Sequence, residues 1–191
     1  MELKNALRTR RSIRIFKSEK IDTGILREII DDARLAPSGA NLQPVRYAVI
    51  NKPAICEEIF ANIKWAGYTA PAGVPNKEEA PAAYIAVIVD KTVKENGDND
   101  ASYAEANIIL SAWDKGIGSC IIGAFSRKEL NRILNINEDK YIHNLVALGY
   151  PAQESFFEDN DSTVKYYLDE KGNFHVPKKT VDKIADFEFC E

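Results

Sequence analysis

The chain has 191 residues, 45% hydrophobic and 28% charged, within the usual range of one compact globular domain able to bury a substantial core. Lys plus Arg number 25 against 29 Asp plus Glu, for a net charge of -4, so there is no global basic field to collect polynucleotide and no nucleic-acid partner is expected. Cys56, Cys120 and Cys190 are odd in number and far apart, offering neither a disulfide framework nor a Cys-x-x-Cys redox or metal pair, which fits a reducing cytoplasm.

The N-terminus carries Arg8, Arg10, Arg11 and Arg14, but Glu2 and the interrupted apolar pattern argue against a targeting helix, and no secretory h-region is present. The mature protein is expected to begin near Met1. Leu3 to Leu7 can start a short helix, and the basic residues that follow alternate with Ile13, Ile15 and Phe16 as an extended segment would. Asp22 or Thr23 can cap a helix whose Ile25, Ile29, Ile30 and Ala33 form an apolar stripe, with Pro37 marking its end. Tyr47 to Asn51 has strand character, and Pro53 opens a helix through about Lys64. Trp65 to Pro81 is rich in Ala, Gly and Pro without clear periodicity, as a lid or binding loop would be.

Tyr84 to Asp90 has the branched composition of a buried central strand; the apolar stretch Ala82 to Val89 is far short of the roughly 20 residues that span a bilayer. No membrane span is expected. A helix follows over about Ala101 to Lys115, with Ala104, Ile108, Leu110 and Ala112 on a broad apolar face and Gly116 as its stop. Ser119 to Gly123 can form a short strand, and Ser126 and Glu129 have capping-box spacing before another helix. Leu145 to Leu148 is a further strand; Val164 to Leu168 and Phe174 to Val176 form a pair turned at Gly172, and the tail ends in a short helix. No repeat or linker divides the chain, so residues 1–191 form a single domain of mixed α and β class.

There is no Walker loop, His-Glu-x-x-His pair or nucleophile elbow, and Gly116-Ile117-Gly118 is only a fragment of a dinucleotide fingerprint that follows a helix. His143 and His175 stand alone in sequence and are read as structural. No metal ligand set is evident. Two stretches carry chemistry. In an extended Arg10-Arg11-Ser12-Ile13-Arg14, residues Arg10, Ser12 and Arg14 share the inward face, placing two guanidinium groups and a hydroxyl where a phosphate and a polar ring edge could be met; Arg11 and Ile13 point the other way, and Arg11 is expected to face outward. In Ala36-Pro37-Ser38-Gly39-Ala40-Asn41-Leu42-Gln43-Pro44, Asn and Gln amides can both donate and accept, as recognition of a flavin's pyrimidine edge requires.

Together, in this order, the two stretches resemble the nitroreductase family of flavin oxidoreductases, whose members carry Arg-x-Ser-x-Arg/Lys near the start and Ala-Pro-Ser-x-x-Asn-x-Gln-Pro after a helix. The resemblance continues through Asn107 to Gly123, Leu148-Gly149-Tyr150-Pro151 and Lys178-Lys179. It implies an α+β three-layer fold, a mainly antiparallel sheet flanked by helices, in a homodimer with FMN at the subunit interface. The helix over Ala101 to Lys115 is a candidate interface element, 65–81 a lid and 164–191 a C-terminal extension. It further implies that Arg10 and Ser12, helped by Lys179, hold the phosphate and ribityl end. Arg14 and Asn41 approach the isoalloxazine, and the backbone near Ile122 and Gly123 lines the ring. Arg11, Pro37, Ser38 and Gln43 complete the candidate set. Val45 stands where an aromatic residue is frequent, and Lys179 where arginine is common. The chemistry lies at the flavin, with no catalytic side chain: NADH or NADPH reduces FMN, and a nitroaromatic, quinone or related small acceptor then takes the electrons. Dehalogenation or enone reduction on the same fold, and non-enzymatic FMN binding, are the alternatives. A deiodinase would carry a Glu, Tyr and Lys set in its lid, whereas Lys64 stands four residues before Tyr68 where that pattern favours an acid. Trp65, Tyr68 and Phe125 are available to shape the acceptor pocket.

Overall fold

The computed structural model describes residues 1–65 and 67–190. At its centre lies β2 (Ala83–Asp90), buried along its whole length. Side chains alternate between the faces of a strand, so burial at every position requires cover on both sides. β2 pairs antiparallel with β1 (Val45–Ile50) and β4 (Lys140–Gly149), and β3 (Gly118–Ile122) pairs antiparallel with β4. The resulting order is β1-β2-β4-β3.

Helices α2 (Thr23–Ala33) and α4 (Asp98–Asp114) cover one face, where Leu26, Ile29, Ala33, Ile108 and Ala112 join Ile85, Val87, Val146 and Leu148 in one core. On the other face α3 (Pro53–Phe60) and α5 (Arg127–Leu134) bring Cys56, Ile59 and Leu130 to Tyr84, Ala86, Leu145 and Ala147. At about 1.5–3 kcal/mol per fully buried large aliphatic side chain, each face supplies a core of its own. The fold is α+β in three layers, as the resemblance implies. No helix among the described residues is long and apolar enough to cross a membrane.

Asp22 caps α2 by accepting from the Gly24 N–H at 2.7 Å, as the sequence indicates. The helix from Pro53 is shorter than expected because the chain leaves it to pair elsewhere: Ile63 bridges Phe125, and the Lys64 N–H donates to the Ala124 carbonyl at 2.8 Å. The expected capping box at Ser126 does not form; its side chain caps nothing, while Glu129 accepts from Arg132 at 3.0 Å. The 65–81 stretch contains a one-turn 3-10 helix at Lys77–Glu79, capped reciprocally by Asn76 and Glu79. Its Ala66, like Glu191 at the chain end, lies outside the described residues.

Beyond β4 a second sheet forms. β5 (Ser155–Asp159) runs parallel to β7 (Phe174–Lys178), which also pairs antiparallel with β6 (Tyr167–Leu168). The β6/β7 pair was legible; β5 was not, because Phe156 and Phe157 are adjacent and break the alternation that marks a strand. The short α6 (Val181–Ile184) follows.

From α1 (Leu3–Thr9), which donor Trp113 Nε1 ties to α4 through Thr9 Oγ1 at 2.9 Å, the chain passes over the ends of β3 and β4. The Ile13 N–H donates to the Ser119 carbonyl at 2.9 Å, and the Lys17 N–H to the Tyr150 carbonyl at 2.8 Å. Ile13 and Phe16 are buried against two glycines: a Cβ on Gly118 would stand 2.9 Å from Ile13 Cγ1, and one on Gly149 2.6 Å from Phe16 Cδ1. Gly149→Ala should therefore cost roughly 1–3 kcal/mol by overpacking, read from urea denaturation; an unchanged midpoint would show that the segment can lift away freely.

Candidate functional site

Arg10 ends α1 as its C-cap, and Ser12 bridges Ser119 on β3, so the two basic residues 10 and 14 straddle a fixed point on the edge strand. Both guanidinium charges act on Cys120: burial raises its thiol pKa and dominates, while Arg14 and Arg10 pull it down. Burial likewise lowers the Arg10 guanidinium from its ordinary value, opposed by Cys120. Arg10, Ser12 and Arg14 are all half-buried.

Arg11 is a correction. Expected to point outward, it is only 8% exposed: its guanidinium donates to the carbonyls of Arg8, at 2.6 Å, and Arg10, and lies 4.8 Å from the Phe157 ring centroid. A helix leaves its last carbonyls without internal partners, and Arg11 satisfies two of those at the end of α1. Both terminal nitrogens of Arg11 are thus engaged within the chain, while its buried Nε has no hydrogen-bond partner among the described residues.

A cleft of about 460 Å³ opens beside β3, lined by Arg14, Lys64, Trp65, Cys120, Ile122, Gly123 and Tyr166, among others. Bonds between the 62–64 stretch and 124–126 set its floor, with the Ser126 N–H donating to the Asn62 carbonyl at 3.0 Å. Ile122 and Gly123 both line this cleft. Beneath Gly123 lies Asn144, whose Nδ2 donates to Glu105 Oε2 at 3.1 Å. Burial raises the Glu105 carboxyl pKa, opposed by the Asn144 bond and the His143 charge.

Several buried polar atoms have no hydrogen-bond partner among the described residues, including Arg14 Nη1, Trp65 Nε1, Ser119 Oγ and Gln153 Nε2. Such atoms are rare in folded proteins and cost free energy unless a ligand meets them. Of these, Arg14 Nη1 and Trp65 Nε1 are donors on side chains that line the cleft, which fits a group rich in hydrogen-bond acceptors, such as a flavin with its carbonyls and phosphate.

The Pro37–Gln43 loop sits elsewhere, before β1 at the opposite edge of the sheet. Three inter-strand spacings, roughly 14 Å, separate β1 from β3. Within one chain, Pro37, Ser38, Asn41 and Gln43 therefore do not join Arg10 and Arg14. The loop is held in an unusual shape: Ala40, Asn41 and Gln43 have φ of 51°, 54° and 53°, left-handed values that cost a non-glycine residue about 1 kcal/mol or more. Ser38 Oγ accepts from the Gln43 N–H at 3.0 Å, and buried Asp100 accepts from the Gly39 N–H at 2.9 Å while pairing with Lys94 at 2.6 Å. Asn41 and Leu42 are left exposed. Lys179 stands exposed just past β7, where its charge acts on Asp161.

Gln153, Tyr166 and Phe174 were missed in sequence. They lie far along the chain from Arg14, in no motif, and only the second sheet brings them to it. Glu105 and Asn144 were missed as well; a charged residue on the apolar side of a predicted helix was the available signal.

Residues 7–150 match the Nitroreductase family. The chain is 32% identical over 160 residues to a protein of Archaeoglobus fulgidus named as an NADH dehydrogenase/NAD(P)H nitroreductase, covering 80% of this chain and 87% of that one. Among solved structures, an FMN-dependent nitroreductase of Clostridium difficile shares 25% identity with a TM-score of 0.68, over 84% of this chain and 93% of that one. A nitroreductase in complex with FMN from Desulfovibrio desulfuricans shares 25% identity with a TM-score of 0.66, over 80% and 88%.

Asp100 carries a prediction about the loop. Burial raises its pKa, but the Lys94 bond, the Gly39 N–H and the Lys94 charge together leave it below the ordinary Asp value. A lowered folded-state pKa contributes stability above the unfolded value and loses it as pH falls through the folded one. Asp100→Asn should cost about 1–3 kcal/mol at neutral pH, and its gap from wild type should narrow on acidification below roughly pH 4. Urea denaturation across that range is the check; a gap that widens in acid would refute it.

Proposed function

The chain belongs to the nitroreductase family, and from that premise we propose that it is an FMN-dependent NAD(P)H oxidoreductase serving a nitroaromatic, quinone or related small acceptor. The observation that carries this reading is the cleft beside Gly123, where Arg14 presents a buried Nη1 that has no hydrogen-bond partner among the described residues. Bound FMN would supply hydride acceptance from NAD(P)H and onward electron transfer, chemistry that belongs to the cofactor. The chain's own part is binding, orientation and charge.

Arg10 and Ser12 would hold the phosphate and ribityl end, with Lys179 as a further cation. The backbone of Ile122 and Gly123 would line the ring, whose pyrimidine edge would face Arg14. A cation there favours the reduced, anionic ring over the neutral oxidised one. NAD(P)H and acceptor would enter in turn over the bound ring, a ping-pong order. The 65–81 segment would act as the lid: Trp65 and Gly67 line the cleft, and the Tyr68 ring lies 5.0 Å from that of Tyr166.

The second half of the site would come from a second copy. Asn41 and its neighbours are exposed before β1 at one edge of the sheet, while Arg10 to Arg14 lie beside β3 at the other. A homodimer that sets one edge against the other completes two FMN sites, with α4 as an interface element and residues 164–191 as an extension. The free cysteines fit a cytoplasmic setting.

Anaerobic addition of NADH or NADPH to the FMN-loaded protein should bleach the flavin, and a nitroaromatic or quinone should restore its colour. Flavin that stays yellow would mark a passive FMN carrier; bleaching without reoxidation by either acceptor class would sink the acceptor assignment alone. Light scattering should give a dimer, and an FMN-loaded monomer would contradict the composite site. Arg14→Gln should lower the flavin midpoint potential by about 30 mV or more, a tenfold loss in relative stabilisation of the reduced form.

A further inference from the structure

The Arg14 guanidinium carbon lies 4.8 Å from the Tyr166 ring centroid and 4.8 Å from that of Phe174. The two rings stand 6.1 Å apart, tilted by 45°, so the cation rests against both. Its backbone is fixed as well, since Gln153 Oε1 accepts from the Arg14 N–H at 3.0 Å and the Ile15 N–H at 2.5 Å. Gln153, Tyr166 and Phe174 all lie beyond residue 150, where the match to the family ends. Arginine has many rotamers, and two aromatic faces plus an anchored backbone leave it few. Its Nη1 is buried and has no hydrogen-bond partner among the described residues, on a side chain that shares the cleft wall with Cys120 and Gly123.

We propose that Tyr166 and Phe174 are positioning residues that hold the Arg14 guanidinium at the cleft wall, so that its charge bears on the electron-carrying ring bound there. The inference rests on the FMN reading above. A cation fixed in place stabilises developing negative charge without reorganising, whereas a side chain free to swing into water dilutes its effect. Phe174 is also part of the small sheet's core, but Tyr166 is half-buried and precedes β6. Its hydroxyl accepts from the Tyr68 N–H at 3.4 Å, so the ring that steadies the cation also receives the 65–81 segment.

The test is a spectroscopic redox titration of FMN-loaded wild type, Tyr166→Leu and Tyr166→Phe, with thermal unfolding of each apoprotein. Tyr166→Leu should weaken binding of reduced relative to oxidised flavin about tenfold, a fall of about 30 mV in midpoint potential. Tyr166→Phe keeps the ring face and should titrate with wild type. In an Arg14→Gln background Tyr166→Leu should shift nothing further, because the residues act as one unit. Should Tyr166→Leu fail to fold, Tyr166→Met fills the space without an aromatic face and reads the same potential. A folded Leu or Met variant at wild-type potential overturns the clamp, as does an undiminished shift in the Arg14→Gln background or a Tyr166→Phe that falls with Leu. Wild-type protein that takes up no FMN overturns the functional reading and the clamp together, whereas FMN uptake with an unmoved potential overturns the clamp alone.

Discussion

The double-sided burial of β2 is the constraint from which the rest follows. A strand with Ile85, Val87 and Val89 toward one face and Tyr84, Ala86 and Ile88 toward the other has no side that water can occupy at acceptable cost. It must have a strand on each flank for its backbone and a helical layer on each face for its side chains. β1 and β4 meet the first demand, α2 with α4 and α3 with α5 the second. Apart from the buried Asn144–Glu105 pair, the candidate site residues near the sheet lie at its outer edges.

Both edges are used, in different ways. At β3 the Arg10–Phe16 segment lies across the strand ends, sealed by Ile13 and Phe16, so apolar packing fixes where Arg14 emerges. At β1 a polar latch, Asp100 to Gly39 and Lys94, fixes the turn before the strand. A buried ion pair is weak evidence for stability, because desolvation offsets much of its attraction. Asp100 makes better sense as a device for shape, since one carboxylate sets both a lysine and a loop amide.

Local patterns made most of this fold legible. The all-apolar run at Tyr84 to Val89, the stripe in Ile25 to Ala33 and the cap at Asp22 each state their element within a few residues, because burial and capping are decided locally. The first motif contains Arg14, and the later Gly-rich stretch contains Gly123, both of which line the cleft. What sequence could not give was which groups meet within one chain. Nothing in Ala36 to Pro44 says that it lies a sheet's width from Arg14. Nor does anything near Tyr166 or Gln153 announce that a parallel strand at Ser155 will carry them onto an arginine roughly 140 residues earlier. Arg11 went the other way for a local reason that alternation ignores: the carbonyls at a helix end draw the nearest donor.

The left-handed run at Ala40, Asn41 and Gln43 bears on how a partner would be met. Its conformational cost is borne while the chain is still alone, and its internal bonds hold it there. A surface already in its bound form loses little entropy on docking and needs no rearrangement before contact becomes productive. Encounter between two copies would then be governed by diffusion and orientation, so that differences in affinity among variants of such a pair would lie mainly in how quickly it comes apart.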